Sequence, residues 1–437
     1  MVATLNEKYF SKNENGILTI GGVDCEFLKQ KFGTPLYVFN KDCILDISSA
    51  YRDALNNEYG KGLVSYASKA FSCKEIYRIM NEQNLGTDVV SGGELYTALS
   101  VNFPAQNIIF HGNNKLKSEL EYAISSKVGY IVIDALSEID DVDEIAKKHG
   151  VIQNVLIRVN PGVEAHTHHY IQTAKVDSKF GFSISNNDAK NAIIKALNCK
   201  NIKLKGLHCH IGSQIFDIKS FILALDKMTD FYKTCKDELS YEFDTLNLGG
   251  GFGIFYHGDD KILTPKDYYD FVKTICENLK SLITSKGLNK PFLILEPGRS
   301  IVGEAGITLY TAGRIRNITG IKNYIAIDGG MFDNPRFALY QAKYTVIAPT
   351  KLNEKPTEKY TIAGKCCESG DIIAEDCYLP KINEGDLIAV LSTGAYNYSM
   401  ASNYNRNLIP PVVLISNKTA KYIVKPSSFE DITRNDV

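Results

Sequence analysis

Eight apolar runs, each ending in polar or glycine residues, recur along the middle of the chain and constrain its fold more than any other feature. They span residues 63–69, 86–91, 107–113, 130–134, 155–160, 205–213, 245–251 and 292–299. Between most of them lie stretches at helical spacing, such as 72–83, 93–100, 117–126, 136–149, 187–198 and 216–238. Short buried strands alternating with helices read as βα units. Eight of them suit a closed (β/α)8 barrel of the TIM type better than an open doubly wound sheet. In such a barrel the C-terminal strand ends form the active-site face. Lys69, Asp88, His111, Asp134, Arg158, His210, Gly249–Gly251 and Glu296 would then line one mouth.

After Arg299 the pattern changes. Strand-like runs at 306–314, 324–327, 343–347, 359–363, 386–392 and 412–415 follow one another with few helices, as in an all-β domain. Ahead of the barrel come a strand at 17–20, the Gly21-Gly22 turn and a short helix at 25–32. Thr34-Pro35 ends that helix, and a strand at 37–40 leads into an amphipathic helix at 41–57. A barrel has no use for a strand before its first helix, so the N-terminal strand is expected to join the C-terminal domain. The expected division is a barrel over 36–298, with 1–35 and 299–437 forming a β-sandwich or β-barrel domain.

The 437 residues suffice for two such cores. The formal net charge is -1, which gives no reason to expect nucleic acid or an anionic membrane as partner. No apolar run approaches the ~20 residues a membrane helix needs. The stretch 1–10 is polar and lacks the apolar centre of a signal peptide. Ten cysteines are scattered without CxxC spacing. Free thiols in a reducing cytoplasm are the expectation.

Several residues carry chemistry. Strand alternation groups Ser65, Ala67 and Lys69 on one face. A desolvated strand-end lysine is a usable amine nucleophile, although such a lysine also simply reaches water. Gly249-Gly250-Gly251 can close backbone N–H groups on a phosphate, or be an ordinary turn. Glu296 and Arg299, three residues apart in Glu296-Pro-Gly-Arg299, both belong to the eighth strand end, as site groups or as a structural ion pair. His208 and His210 share a strand face. With His166, His168 and His169 they raise zinc, but no cysteine or carboxylate has ligand spacing, so no metal is expected. An imidazole stacked on an aromatic cofactor and a hydrogen-bonded core histidine are the other options. Cys366-Cys367-Glu368-Ser369-Gly370-Asp371 offers either a thiol acid or a small buried hydrophobe.

A lysine, a phosphate loop, a stacking histidine and a buried glutamate together describe a pyridoxal phosphate (PLP) site. From about Gly33 to about Asn405 the chain resembles the diaminopimelate decarboxylases, in the alanine-racemase-like fold group of PLP enzymes. The motifs are Tyr66-Ala-Ser-Lys-Ala70, Asp88-Val-Val-Ser-Gly-Gly-Glu94, Lys179-Phe-Gly181, His208-Cys-His-Ile-Gly-Ser-Gln214 and Asn247-Leu-Gly-Gly-Gly251. Glu296-Pro-Gly-Arg-Ser300, Asp328-Gly-Gly330, Cys367-Glu-Ser-Gly-Asp371, Gly394-Ala-Tyr396 and Ser399-Met-Ala-Ser-Asn-Tyr-Asn405 complete the set. The resemblance implies a Schiff base from Lys69 to PLP, with His210 against the ring and Glu296 at the pyridine nitrogen. It implies phosphate contacts from Ser213, Gly250, Gly251, Arg299 and Tyr396, with Asp88 and Gly298 in the same cofactor-binding set. Arg299, Arg336, Tyr340, Glu368 and Tyr396 match substrate-binding positions. Cys367 matches a proton donor that this family supplies from the partner subunit of a homodimer. The implied reaction gives L-lysine and CO2 from meso-2,6-diaminopimelate, the last step of lysine biosynthesis.

Three departures stand out. Phe337 replaces a usual proline in Arg336-Phe-Ala-Leu-Tyr340, Ala174 replaces a usual glycine, and 406–411 reads Arg-Asn-Leu-Ile-Pro-Pro. A carboxylate at the pyridine nitrogen keeps it protonated and makes the ring a strong electron sink. Racemases of the fold group place arginine there, so Glu296 favours decarboxylation. An ornithine- or arginine-type decarboxylase of the same fold is the alternative. A metal-dependent barrel hydrolase would rely on the histidines. A non-catalytic binding homologue would be expected to lack Lys69 or Cys367, and this chain has both.

Overall fold

The eight apolar runs pair in chain order and close on themselves. The strands are β1 (Gly62–Ala67), β2 (Gly86–Val89), β3 (Ile108–Phe110), β4 (Tyr130–Ile133), β5 (Gln153–Asn160), β6 (Ile202–His208), β7 (Thr245–Asn247) and β8 (Phe292–Leu295). Every neighbour is parallel, and β8 pairs back onto β1 through Leu293, Ile294 and Leu295. This is a TIM-type barrel. The computed structural model describes residues 6–163 and 179–437. His166, His168, His169 and Ala174 lie outside the described residues.

Seven helices follow the first seven strands: α1 (Lys74–Glu82), α2 (Gly92–Leu99), α3 (Lys117–Ser125), α4 (Leu136–Lys148), α5 (Asp188–Leu197), α6 (Ile218–Leu239) and α7 (Pro265–Ser285). The last was not among the expected helices. Its start is nevertheless written locally: Thr264 and Asp267 form a capping box and Pro265 opens the first turn. Inside the barrel Ile109, Val132, Leu156 and Ile294 from four strands form an apolar cluster. Each such buried side chain contributes roughly 1.5–3 kcal/mol. With this cluster filling the interior, polar chemistry is left to the strand ends.

Contacts divide the chain into two units, Ile47–Gly253 with Leu263–Gly298, and Met1–Asp46 with Ile254–Ile262 and Arg299–Val437. The second unit holds β9 (Gly306–Ile318), β10 (Lys322–Ile327), β11 (Val346–Ile347), β12 (Glu358–Ala363), β13 (Ile372–Leu379), β14 (Leu387–Val390), β15 (Val412–Ser416) and β16 (Thr419–Val424). They run β13-β12-β10-β9, then the strand Leu36–Asn40, then β15-β16, with β14 between β9 and β11. The first half of β9 pairs with Leu36–Asn40 and β14, and its second half with β10 after an irregularity between Ala312 and Ile315.

Three expectations change here. Leu36–Asn40 belongs to this sheet, which moves the boundary from 35/36 to Asp46. The earlier strands Phe10–Lys12, Leu18–Ile20 and Val23–Asp24 form a small antiparallel sheet of their own within the unit. β13 and β16 were not anticipated. β16 is largely solvent-facing, and β13 buries only Ile373, Ala374 and Leu379 around an exposed acidic stretch, so neither has the continuous apolar run that marks a buried strand. The segment Ile254–Ile262, between β7 and α7, also joins this unit, and Ile254 and Tyr256 enter its core beside Tyr310, Ile325 and Ile362. Among the described residues no helix is long and apolar enough to cross a membrane.

Candidate active site

Glu296 follows β8 directly and is buried with a closed set of partners. His111 Nε2 lies 2.8 Å from Oε1, Asn247 Nδ2 donates to the same oxygen at 2.7 Å, and His208 Nε2 lies 3.3 Å from Oε2. These partners come from the ends of β3, β7 and β6. The His111 and His208 rings meet edge to face at 4.7 Å. Asn247 in turn accepts from Gly249 N at 2.8 Å. Burial pushes the Glu296 carboxyl up, but His111 and then His208 outweigh it and hold it well below the usual range. Burial holds His208 down to about 3, so at neutral pH it faces Glu296 as a neutral donor. His210, half-buried, is likewise held well below the ordinary histidine value by desolvation and then by the Lys69 charge. His208 partners His111 across Glu296. Asn247 sits in a motif noted above, yet only its place at a strand end ahead of three glycines hinted at its role.

Lys69 is not on the strand itself. β1 ends at Ala67, and Ser68–Ala70 form a 3-10 turn. Lys69 is exposed there, so the burial expected of it is not found. Glu94 braces the turn: Ser68 Oγ donates to Oε2 at 3.0 Å, and so does Val90 N at 2.7 Å. Asp88 is buried, and its Oδ1 has no hydrogen-bond partner among the described residues. Burial, then the charge of Glu296, raises Asp88 well above the usual carboxyl value, with Lys69 opposing. At the mouth the backbones touch. A Cβ on Gly250 would lie 2.0 Å from the Glu296 carbonyl oxygen, one on Gly251 2.3 Å from that of Gly212, and one on Gly298 2.6 Å from Ala67 Cβ. Gly251 also sits at φ +120°, which favours glycine. Ser213 lies in the loop after β6, one residue from this contact.

The other unit gathers cations. Arg299 and Arg336, both buried, each donate to the Tyr256 hydroxyl, Arg336 at 3.0 Å. Arg336 also donates to Tyr344 at 2.9 Å. Burial raises Tyr256, yet the charges of Arg299 and Arg336 bring it below the usual phenol value. Burial works against Arg336, but Tyr256 and Tyr344 more than offset it. The Arg299 guanidinium lies 4.7 Å from the Tyr396 ring, and Tyr396 holds φ +66°, strained for a bulky residue. Arg336 and Tyr340 bound one short helix, with Arg336 buried and Tyr340 exposed. Phe337 sits inside that helix, which therefore forms without the usual proline. Tyr256 and Tyr344 were missed, since a tyrosine in an apolar run carries no signal of its own.

The paired cysteines separate cleanly. Cys366 is buried and its thiol is pushed up to about 12 by burial and by Asp371. Cys367 is exposed, as is Glu368. The small buried hydrophobe is Cys366, and Cys367 is the accessible thiol.

Residues 45–303 match the model of the pyridoxal-dependent decarboxylase family, pyridoxal binding domain. A diaminopimelate decarboxylase from Bacillus subtilis (strain 168) is 47% identical over 426 residues, 98% of this chain and 96% of that protein. This chain belongs to the diaminopimelate decarboxylase family. Among solved structures, the diaminopimelate decarboxylase from M. jannaschii in co-complex with L-lysine superposes with a TM-score of 0.91 at 38% identity, covering 99% of this chain and 98% of that one. The Helicobacter pylori diaminopimelate decarboxylase complexed with L-lysine gives 0.84 at 30%, covering 94% and 98%. Diaminopimelate decarboxylases are carboxy-lyases, and this family uses PLP. The residues present fit that cofactor. An ionised buried carboxylate can pair with a ring N–H, side-chain-free backbone can approach a phosphate, and an unpartnered Asp88 oxygen waits beside the lysine turn.

Proposed function

We propose that the chain converts meso-2,6-diaminopimelate to L-lysine and CO2. The observation that carries this reading is Glu296, kept as a carboxylate by His111, Asn247 and His208 at the end of β8. Bound PLP supplies an electron sink for the pair left when the bond to the departing carboxylate breaks. Glu296 holds a proton on the pyridine nitrogen by charge pairing, which sets the strength of that sink. His210, neutral through burial, covers the ring without adding a positive charge. Lys69 would hold the cofactor through its amine and is placed to carry protons there. Asp88, whose carboxyl burial and then Glu296 raise well above the usual value, stands beside Lys69.

Ser213 and the N–H groups of Gly250 and Gly251 bind the phosphate together with Arg299 and Tyr396, and Gly298 leaves room at the lysine turn. Arg336, with Tyr340 and Tyr396, takes a substrate carboxylate, and Glu368 takes an ammonium. Arg336 donates to the hydroxyls of Tyr256 and Tyr344, which hold its guanidinium in place for an arriving anion. An arginine in this place repels the cationic tail of ornithine or arginine. Cys367, offered by the partner subunit of a homodimer, returns a proton to the carbon that lost CO2. Its exposure and that of Glu368 in the single chain support this sharing.

The test is turnover by the PLP-loaded protein on meso-diaminopimelate, ornithine and arginine. L-Lysine and CO2 should appear in equal amounts from the first, and the other two should react at least ~100-fold more slowly. Preference for ornithine or arginine would overturn the assignment.

A further inference from the structure

The accessible thiol of Cys367 sits on a loop whose two successive amides are each held by a side-chain oxygen. Cys366 N donates to Asp371 Oδ2 at 2.7 Å, and Cys367 N donates to Asn405 Oδ1 at 2.8 Å. Both acceptors follow the cysteines in sequence, Asp371 within the loop and Asn405 far beyond it. Asp371 closes the loop itself: its backbone N bonds Glu368 O at 3.1 Å, and its carbonyl accepts from Gly364 N at 2.9 Å. Its second carboxylate oxygen accepts from Met331 N at 2.6 Å, five residues before Arg336. One buried carboxylate therefore ties the thiol loop to the segment that leads to Arg336. The fit is close, since a Cβ on Gly364 would lie 2.2 Å from Asp371 Oδ2 and one on Gly330 2.7 Å from it.

Asn405 is placed differently. It is exposed and sits at φ +52°, a conformation that asparagine tolerates better than most residues. Its neighbours fasten it: Asn403 Nδ2 donates to Asn407 O at 2.8 Å, and Arg406 reaches Asp436 at 3.0 Å and Ile432 O at 3.2 Å. The departure at 406–411 thus begins with an arginine that anchors this turn to the chain's last helix, Phe429–Thr433.

We propose that Asp371 and Asn405 are positioning residues that orient Cys367 for proton return. Resting on the reading of Cys367 as the proton donor, this names what aims it. Neither residue needs to touch substrate. Asp371 fixes the amide before the thiol residue and Asn405 fixes its own, so the Cys367 backbone cannot pivot between them. Loss of either acceptor leaves the thiol present and the other groups in place, but wrongly aimed.

The experiment compares Asn405→Gly, Asn405→Asp, Asp371→Asn and Cys367→Ala as PLP-loaded enzymes on meso-diaminopimelate. Glycine accepts the positive φ, so Asn405→Gly removes the acceptor without backbone strain. Aspartate keeps both the acceptor and the tolerance of that φ. Asn405→Gly and Asp371→Asn should lower kcat about 10-fold with KM within about twofold, as expected for a lost orientation rather than lost binding. Asn405→Asp should restore kcat to within about twofold of wild type. The cofactor absorbance spectrum and the unfolding temperature of the Asn405 variants should match wild type. If Cys367→Ala loses more than ~100-fold while Asn405→Gly keeps wild-type kcat, the positioning role is wrong and the thiol's role stands. If Cys367→Ala itself keeps wild-type kcat, the thiol assignment falls and this proposal with it. Because Asn405 is exposed, its two variants decide the matter even if Asp371→Asn fails to fold.

Discussion

At the barrel mouth the central charge is negative: Glu296 lies among His111, His208 and Asn247, with Asp88 close by. In the sheet-rich unit it is positive: Arg299 and Arg336 share the hydroxyl of Tyr256, and Tyr344 and Tyr396 complete the surroundings. Both charges are buried, where an unpaired ion is costly; imidazole and amide groups surround the carboxylate, and tyrosines surround the guanidinium groups. The difference teaches what each region is set to receive. A carboxylate ringed by imidazole and amide groups can pair with a cation such as a protonated pyridine. Guanidinium groups held by phenols can still pair with carboxylate or phosphate.

The largest test removes the barrel's own nucleophile. Lys69→Ala should lower kcat by ~10³-fold or more, and borohydride reduction of the wild-type holoenzyme should label Lys69. Label on another lysine would break the barrel half of the comparison. Next, Arg336→Ala should lower kcat/KM for meso-diaminopimelate by roughly 30- to several-thousand-fold, the effect of truncating one partner of a buried charge pair. PLP affinity should not change. A loss under about threefold would show that the cation in the sheet unit is not meeting a substrate anion.

The histidine partner of Glu296 has a pH signature. Folded His208 titrates at about 3, against 6.5 when unfolded. Between these values the unfolded chain binds a proton that the folded chain refuses, so stability falls as pH drops below 6.5 and the slope ends near 3. Above 6.5 both states are neutral and the term vanishes. Between pH 6.5 and pH 5 it amounts to about 2 kcal/mol. Denaturant unfolding of the cofactor-free protein should show His208→Gln losing less stability than wild type over that interval by about this amount. Equal slopes would mean that His208 is not buried neutral. The smallest effect belongs to Tyr256→Phe, which deprives two arginines of a shared acceptor. It should cost about 1–2 kcal/mol of transition-state stabilisation, read as a fall of roughly 5- to 30-fold in kcat/KM. An unchanged value would show that Tyr256 only fills space.

The barrel could be read ahead of the structure because parallel strands covered on both faces are continuous apolar runs, and eight of them recur. Leu36–Asn40 is equally apolar, but its partners are Gly306–Leu309 and Val412–Ile415, hundreds of residues away, and nothing local names them. The same holds at the site. Lys69, Glu296 and the glycines announce themselves by residue type at strand ends. The 3-10 turn that carries Lys69 does not, because Ser-Lys-Ala suits a strand end equally well. Tyr256 and Asn405 matter through the hydrogen bonds they make, and a hydrogen bond between residues distant in sequence leaves no periodicity to read.

The central claim is that the barrel of one subunit works with the exposed thiol of another. It is tested by mixing Lys69→Ala with Cys367→Ala, each nearly inactive, under conditions where subunit exchange is confirmed independently. Random pairing makes half of the dimers hybrid, and each hybrid regains one intact site of two, so activity should return to about one quarter of wild type. Confirmed exchange with no activity regained would contradict the shared site.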